Sequence, residues 1–205
     1  MSRARYFQTL SFLETSVLLH STPKIKAFRK WREGLDQDSS LAMVIPVSID
    51  ADYLAAVTES LPLSALVIRT PPDFSPSAAN RDRIREALLG DGPPRVWEAQ
   101  GLWELSAAAR IAQDCGALVA LDPLASDPLE ESAEILAAQL ARDRVYLRLS
   151  GLGSARHRFR QYDLERVAEM IADCAEAWVS FGNAAKHKDA LALRKLLETH
   201  PAQGA

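Results

Sequence analysis

LSALVIRTPPDFSPSAANRDRIREALLGDGPPRVWEA, residues 63–99, holds the alternation on which the fold turns. Its opening run, Leu63–Thr70, is short, apolar and closed by Pro71-Pro72, the pattern of a strand buried on both faces. Charged and apolar residues then follow helical spacing over Ala78–Leu89 and stop at Gly90, a position suited to a left-handed C-cap. A second apolar run, Arg95–Ala99, comes after Gly92-Pro93-Pro94. Strand, helix and strand in this order predict a βαβ unit, with a right-handed crossover and parallel strands.

The same alternation extends in both directions. Further strands are predicted over Ser11–Leu19, Leu41–Val47, Ala117–Leu121, Arg144–Ser150 and Ala177–Phe181, each bounded by Pro, Gly, Asp or Asn. Helices are predicted over Pro23–Arg32, with proline at the first position after Thr22, over Leu102–Cys115 before Gly116, and over Leu129–Arg142 after Asp127-Pro128. Two more run over Leu164–Ala175, capped by Asp163, and Asp189–Thr199. No Gly/Ser linker, charge block or repeat interrupts the series. The expected fold is α/β: a TIM-like (β/α) barrel of seven strands, one unit short of the eight that close a complete one. It fills a single domain over residues 1–200, followed by a tail over 201–205.

Composition narrows the function classes. The chain has 205 residues, 48% hydrophobic and 25% charged, with a net charge of −3 and a pI near 5.8. That balance belongs to a globular protein with no overall positive field to draw it to nucleic acid or anionic lipid. Glu14 interrupts the apolar N-terminal run, and no stretch reaches the roughly 18 apolar residues of a membrane helix. Cys115 and Cys174 fall in predicted helices without metal-ligand spacing, which suits a reducing, cytoplasmic setting.

Several stretches are familiar beyond their periodicity. LVIRTPPDFSPS (66–77) is a strand with a proline-pair turn, and RVWEAQGLW (95–103) a Glu-bearing strand with a Trp just beyond. VYLRLSGLG (145–153), WVSFGNAAKHKDALALRKLL (178–197) and SFLETSVLLHSTPKIKAFRKWREGL (11–35) supply further strand–turn motifs in the same order. Together they resemble the YecE-like family, also called domain of unknown function 72. The resemblance implies a TIM-like barrel without an established activity. The family's first, Gly-Trp-rich strand has no counterpart here, which matches the count of seven strands and implies a homodimer or protein partner covering an open edge. Of the family's polar residues the chain retains Glu14, Glu98, Asp122, Arg148 and Asn183, with Trp31 and Trp103. It departs at Ser16, near Ile45, and at Arg69, Gln100, Ser150 and Gly182.

In a parallel barrel, polar residues at the C-terminal strand ends face the mouth where ligands bind. Glu14 and Glu98 are candidates for acid and base roles. Arg69, Asp122, Arg148, Asn183 and Trp103 are candidate ligand-binding residues, the arginines suited to a small anionic ligand. Against this stands a structural alternative, in which Glu14, Glu98 and the arginines pair to fill the interior, since isolated buried charges are costly. Arg156, Arg158 and Arg160 form a basic loop that could meet an anion or nucleic acid, with Phe159 and Tyr162 as stacking partners; a solvated loop is the simpler account. The four histidines, His20, His157, His187 and His200, lack zinc-motif spacing, so no metal and no cofactor is expected. Three functions remain. The first is a non-catalytic binding or protein-interaction module, the second a small-molecule or phosphate-ester enzyme with an acidic and arginine site, and the third a nucleic-acid-binding protein.

Overall fold

The computed structural model describes residues 6–35, 39–125, 130–151 and 158–199. The expected helix start at Asp127-Pro128 lies outside them, as do Arg156, His157 and His200. Contacts group the chain into two compact units, Met1–Val119 and Ala120–Ala205.

The first unit holds β1 (Phe12–Thr15), α1 (Val17–His20), α2 (Ile25–Arg32), β2 (Ser40–Pro46), α3 (Ala51–Ser60), β3 (Ala65–Arg69), α4 (Ala78–Leu88), β4 (Arg95–Glu98), α5 (Leu105–Asp114) and β5 (Leu118–Val119). Its five strands form one sheet in the order β1-β2-β3-β4-β5, every pair parallel. The second unit holds α6 (Glu130–Leu140), β6 (Arg144–Leu149), α7 (Gln161–Ile171), β7 (Glu176–Phe181) and α8 (Lys186–Thr199). Its two strands are also parallel, and Leu121 makes an isolated bridge to Leu147.

Register decides what each face of the larger sheet carries, because in-register neighbours share a face and successive residues alternate. Glu14 stands beside Ala42, Ala42 beside Ala65, and Arg69 beside Glu98. Glu14, Arg69 and Glu98 therefore share one face with the small side chains of Ala42, Val44, Val67 and Val96, all buried. The opposite face carries Leu41, Met43, Ile45, Leu66, Ile68 and Trp97, none more than 1% exposed. Arg95 lies on that second face and donates from Nη1 to the Ala87 carbonyl of α4 at 3.0 Å, which marks it as the helix-covered side. Large side chains thus seal the sheet against helices, while the small-residue face leaves room for long polar chains.

Several elements differ from the sequence expectation. The run Ser11–Leu19 is a strand only to Thr15. After Ser16 the Val-Leu-Leu segment makes one helical turn that buries Leu18, showing that a continuous apolar run does not by itself select extended backbone. Helix α2 starts at Ile25 and not at Pro23, because Lys24 is extended (ψ 142°) and the Pro23 carbonyl accepts from the Tyr53 hydroxyl at 2.8 Å. Helix α3 was not expected, although Asp50 caps it by accepting from the Tyr53 amide at 2.8 Å and Leu54 and Val57 form its buried stripe. Asp163 is not the cap of α7. Arg160 is, and Asp163 Oδ2 accepts from the Arg160 amide at 2.9 Å. Helix α7 ends at Ile171, which leaves Cys174 beyond it, and Cys115 is the C-cap of α5. Gly116 takes the expected left-handed conformation (φ +70°), whereas α4 is capped by Leu89 in extended backbone.

Removing the α3 cap tests this assignment. Asp50→Ala leaves the Tyr53 amide unbonded and is expected to lower stability by about 1 kcal/mol, read from the urea midpoint at unchanged slope.

Candidate functional site

Arg69 and Glu98 end their strands side by side, and their side chains meet. Arg69 Nε donates to Glu98 Oε2 at 2.7 Å, and Gln100 Nε2 donates to Glu98 Oε1 at 3.3 Å. The pair is largely enclosed, with side chains 21% and 13% exposed. Both oxygens of Glu98 are thus engaged, and the buried Nη2 of Arg69 has no acceptor.

The two turns that follow these strands are tied together. Thr70, fully buried, accepts at Oγ1 from the Trp97 indole (3.3 Å) and from the Gln100 amide (3.2 Å). Gly101 has φ +82°, and a Cβ there would lie 2.1 Å from the Pro72 carbonyl oxygen, so only glycine allows the turns this approach. Trp103 donates from its indole to the Phe74 carbonyl at 2.6 Å, stacks on the Phe74 ring at 6.2 Å and meets Trp97 edge-on at 4.8 Å. It buttresses the site from behind.

In front of this wall lies a cavity of about 490 Å³, lined among others by Pro46, Ser48, Arg69, Asn80, Arg83 and Gln100. The Arg83 guanidinium sits 5.7 Å over the Phe74 ring, a cation–π contact that holds it at the rim. Thr70, Asn80, Arg83 and Gly101 were not singled out as site residues from sequence. The proline pair at 71–72 and the Gly two residues before Trp103 were the available signals.

The remaining sequence candidates take other places. Glu14 is half-buried on β1, on the face that also bears Arg69 and Glu98. Asp122, Arg148 and Asn183 belong to the second unit. Asp122 is occupied by backbone: Oδ1 accepts from the Leu124 amide at 3.1 Å and Oδ2 from the Ser150 amide at 2.8 Å. Arg148 is half-buried beside Ser180, and its amide donates to the Leu121 carbonyl at 2.7 Å. Asn183, 2% exposed, donates to Asp189 Oδ2 at 2.7 Å, and Asp189, 1% exposed, also accepts from the Phe159 amide at 3.4 Å. This buried link between the start of α8 and the approach to α7 went unread in the sequence. Its signal was an acidic residue at a helix start, six positions after Asn183.

Of the basic loop, Arg158 is exposed, with Nε 3.8 Å from Asp189 Oδ1, and Arg160 is exposed at the start of α7. Phe159 is buried edge-on against Phe181, so it is core and offers no ring to a base. Tyr162 is exposed beneath Arg166. Burial pushes both thiols up from the ordinary cysteine range. For Cys115, Arg85 opposes and Asp114 adds to that effect; for Cys174, the charges of Asp143 and Glu176 add to it. Neither thiol has the environment of an activated nucleophile. His20 ends α1 in an exposed position, and among the described residues no group of three His, Cys, Asp or Glu side chains could hold a metal ion.

Gly101 provides a direct test of how the turns depend on one another. Gly101→Ala combines positive φ with overlap against Pro72 and is expected to cost about 2–4 kcal/mol, with the near-ultraviolet signal of Trp97 and Trp103 altered at temperatures where the chain is still folded.

The sequence matches no family model, and a search of curated proteins finds no relative. Solved structures are similar in fold. A DUF72 family protein from Enterococcus faecalis aligns over 97% of this chain and 88% of its own, with TM-score 0.73 at 13% identity. Another from Thermotoga maritima aligns over 97% and 91%, with TM-score 0.68 at 14% identity. A 3-keto-L-gulonate-6-phosphate decarboxylase from Vibrio cholerae aligns more loosely, over 96% and 89%, with TM-score 0.53 at 11% identity. The α/β fold of this chain, with its parallel sheet, is the fold of the DUF72 family proteins.

Proposed function

We propose that this chain is a divergent YecE-like (β/α) barrel that works as a binding module for a small organic anion, and not as a catalyst. The observation that carries the reading is the Arg69–Glu98 pair at the wall of the 490 Å³ cavity. An acid or base acts by presenting its carboxyl within hydrogen-bond reach of substrate. Glu98 is instead held at both oxygens, by Arg69 and Gln100. Its role is to hold the guanidinium of Arg69 in place, as a carboxylate partner does for a binding arginine. The cavity then offers Arg69 and Arg83 as cations and Asn80 and Gln100 as amides beside an apolar wall of Pro46 and Val47. An apolar cavity with a few convergent polar groups is the ordinary form of a small-molecule site.

Titration calorimetry with phenylacetate and with phenyl phosphate tests the reading. One or both are expected to bind, with binding lost in Arg69→Ala. Glu98→Gln removes the carboxylate that holds Arg69 in place and is expected to weaken binding about three- to ten-fold. Hydrolysis of phenyl phosphate that disappears in a folded Glu98→Gln variant would overturn the proposal in favour of an enzyme.

A further inference from the structure

Helix α2 carries a charge distribution that its own stability does not explain. Lys24, Lys26, Arg29, Lys30 and Arg32 fall within nine residues that contain no carboxylate. The rest of the chain then holds 19 Lys and Arg against 27 Asp and Glu, a net of −8. All five cations are exposed, and among the described residues none of their side chains makes a hydrogen bond or ion pair. Cations in the last turn are favoured by the helix dipole, which accounts for Arg29, Lys30 and Arg32. Lys24 and Lys26 stand at the opposite end, where the same dipole repels them and an acidic residue would be favoured. No hydrogen bond or ion pair within the described residues compensates that placement.

We infer that the exposed face of α2 is a docking surface for a short acidic segment of another protein. Arg29 and Lys30 lie three and four residues after Lys26 and form one continuous stripe with it. Three features select this partner among anionic ones. The apolar side of the helix is already spent, with Phe28 fully buried and edge-on to Trp31 at 5.4 Å; a membrane-surface helix needs that side free for insertion. The patch is only about 12 Å long. Its N-terminal end adjoins the start of α3, since the Tyr53 hydroxyl bonds the Pro23 carbonyl, and exposed Asp50 and Asp52 stand at that start. A long polyanion running off the stripe meets those carboxylates at one end and exposed Glu33 at the other, whereas a segment of a few acidic residues fits between them.

The experiment is fluorescence anisotropy of the full chain with a labelled peptide bearing four acidic residues, Glu-Asp-Glu-Asp, between glycines, at 50 and 300 mM salt. Binding is expected at the lower salt and at least ten-fold weaker at the higher. It is expected to be lost in K26E/R29E/K30E and kept in Arg110→Glu, an exposed charge reversal on α5. Far-ultraviolet circular dichroism checks that each variant is folded, and K26Q/R29Q/K30Q repeats the test without reversing charge. Equal binding by the glutamine variant, tighter binding of a 20-base-pair duplex or of phosphatidylserine vesicles than of the peptide, or salt-sensitive self-association relieved by the same substitutions would each overturn the proposal. This test does not involve Arg69 or Glu98, so the two proposals stand or fall separately.

Discussion

The parallel register of β3 against β4 is the constraint from which the rest of the candidate site follows. Because Arg69 stands beside Glu98 and Ile68 beside Trp97, one side of the sheet ends in an ion pair and the other in a buried indole. A slip of one residue would exchange the faces and place a guanidinium among the helices. Thr70, one step beyond the strand, then receives the Trp97 indole and the Gln100 amide together. Two loops that are free in sequence become one wall.

That wall is costly to assemble, and the arrangement shows how the cost is met. An enclosed arginine is tolerated only when its charge is balanced, and Glu98 balances it at 2.7 Å. The same carboxylate is engaged at its other oxygen by Gln100, so a single side chain ties the end of β3 to the turn after β4. Aromatic packing supplies the rigidity: Trp97, Trp103 and Phe74 form a contiguous cluster at the cavity, Phe74 stacked on Trp103 and Trp97 edge-on to it, and rings of this size bury much surface at little conformational loss. Asp122 and Asn183 in the second unit illustrate the complementary case. They are polar residues near strand ends whose hydrogen-bonding capacity is turned towards the chain's own backbone and Asp189.

Much of the architecture was legible in the residues. Short apolar runs bounded by Pro and Gly marked where the strands lie, and the motifs around Pro71-Pro72 and Trp103 pointed to the fold shared with DUF72 family proteins. Misreadings arose where local context overrode composition. Val17–His20 is apolar enough for a strand yet turns into a helix after Ser16. Ala51–Ser60 was passed over although Asp50 and the spacing of Leu54 and Val57 announced it. Phe159, read as a possible base-stacking ring beside arginines, is core because the chain folds it onto Phe181. The cations of α2 were visible in sequence, but which of them lie outward and that they lack partners was not.

The sequence by itself determined the alternation of strands and helices, the parallel sense of the sheet, and the positions of Arg69 and Glu98 at strand ends, because periodicity, chain breakers and crossover handedness are local or nearly local properties. Only the tertiary structure decided which polar groups meet. The pairing of Arg69 with Glu98, the approach of Gly101 to Pro72 and the closing of Asn183 on Asp189 each depend on register and turn geometry between segments distant in the chain or on the conformation of the loop between them. A residue's type states what it can bond; its neighbours across the fold state what it does bond.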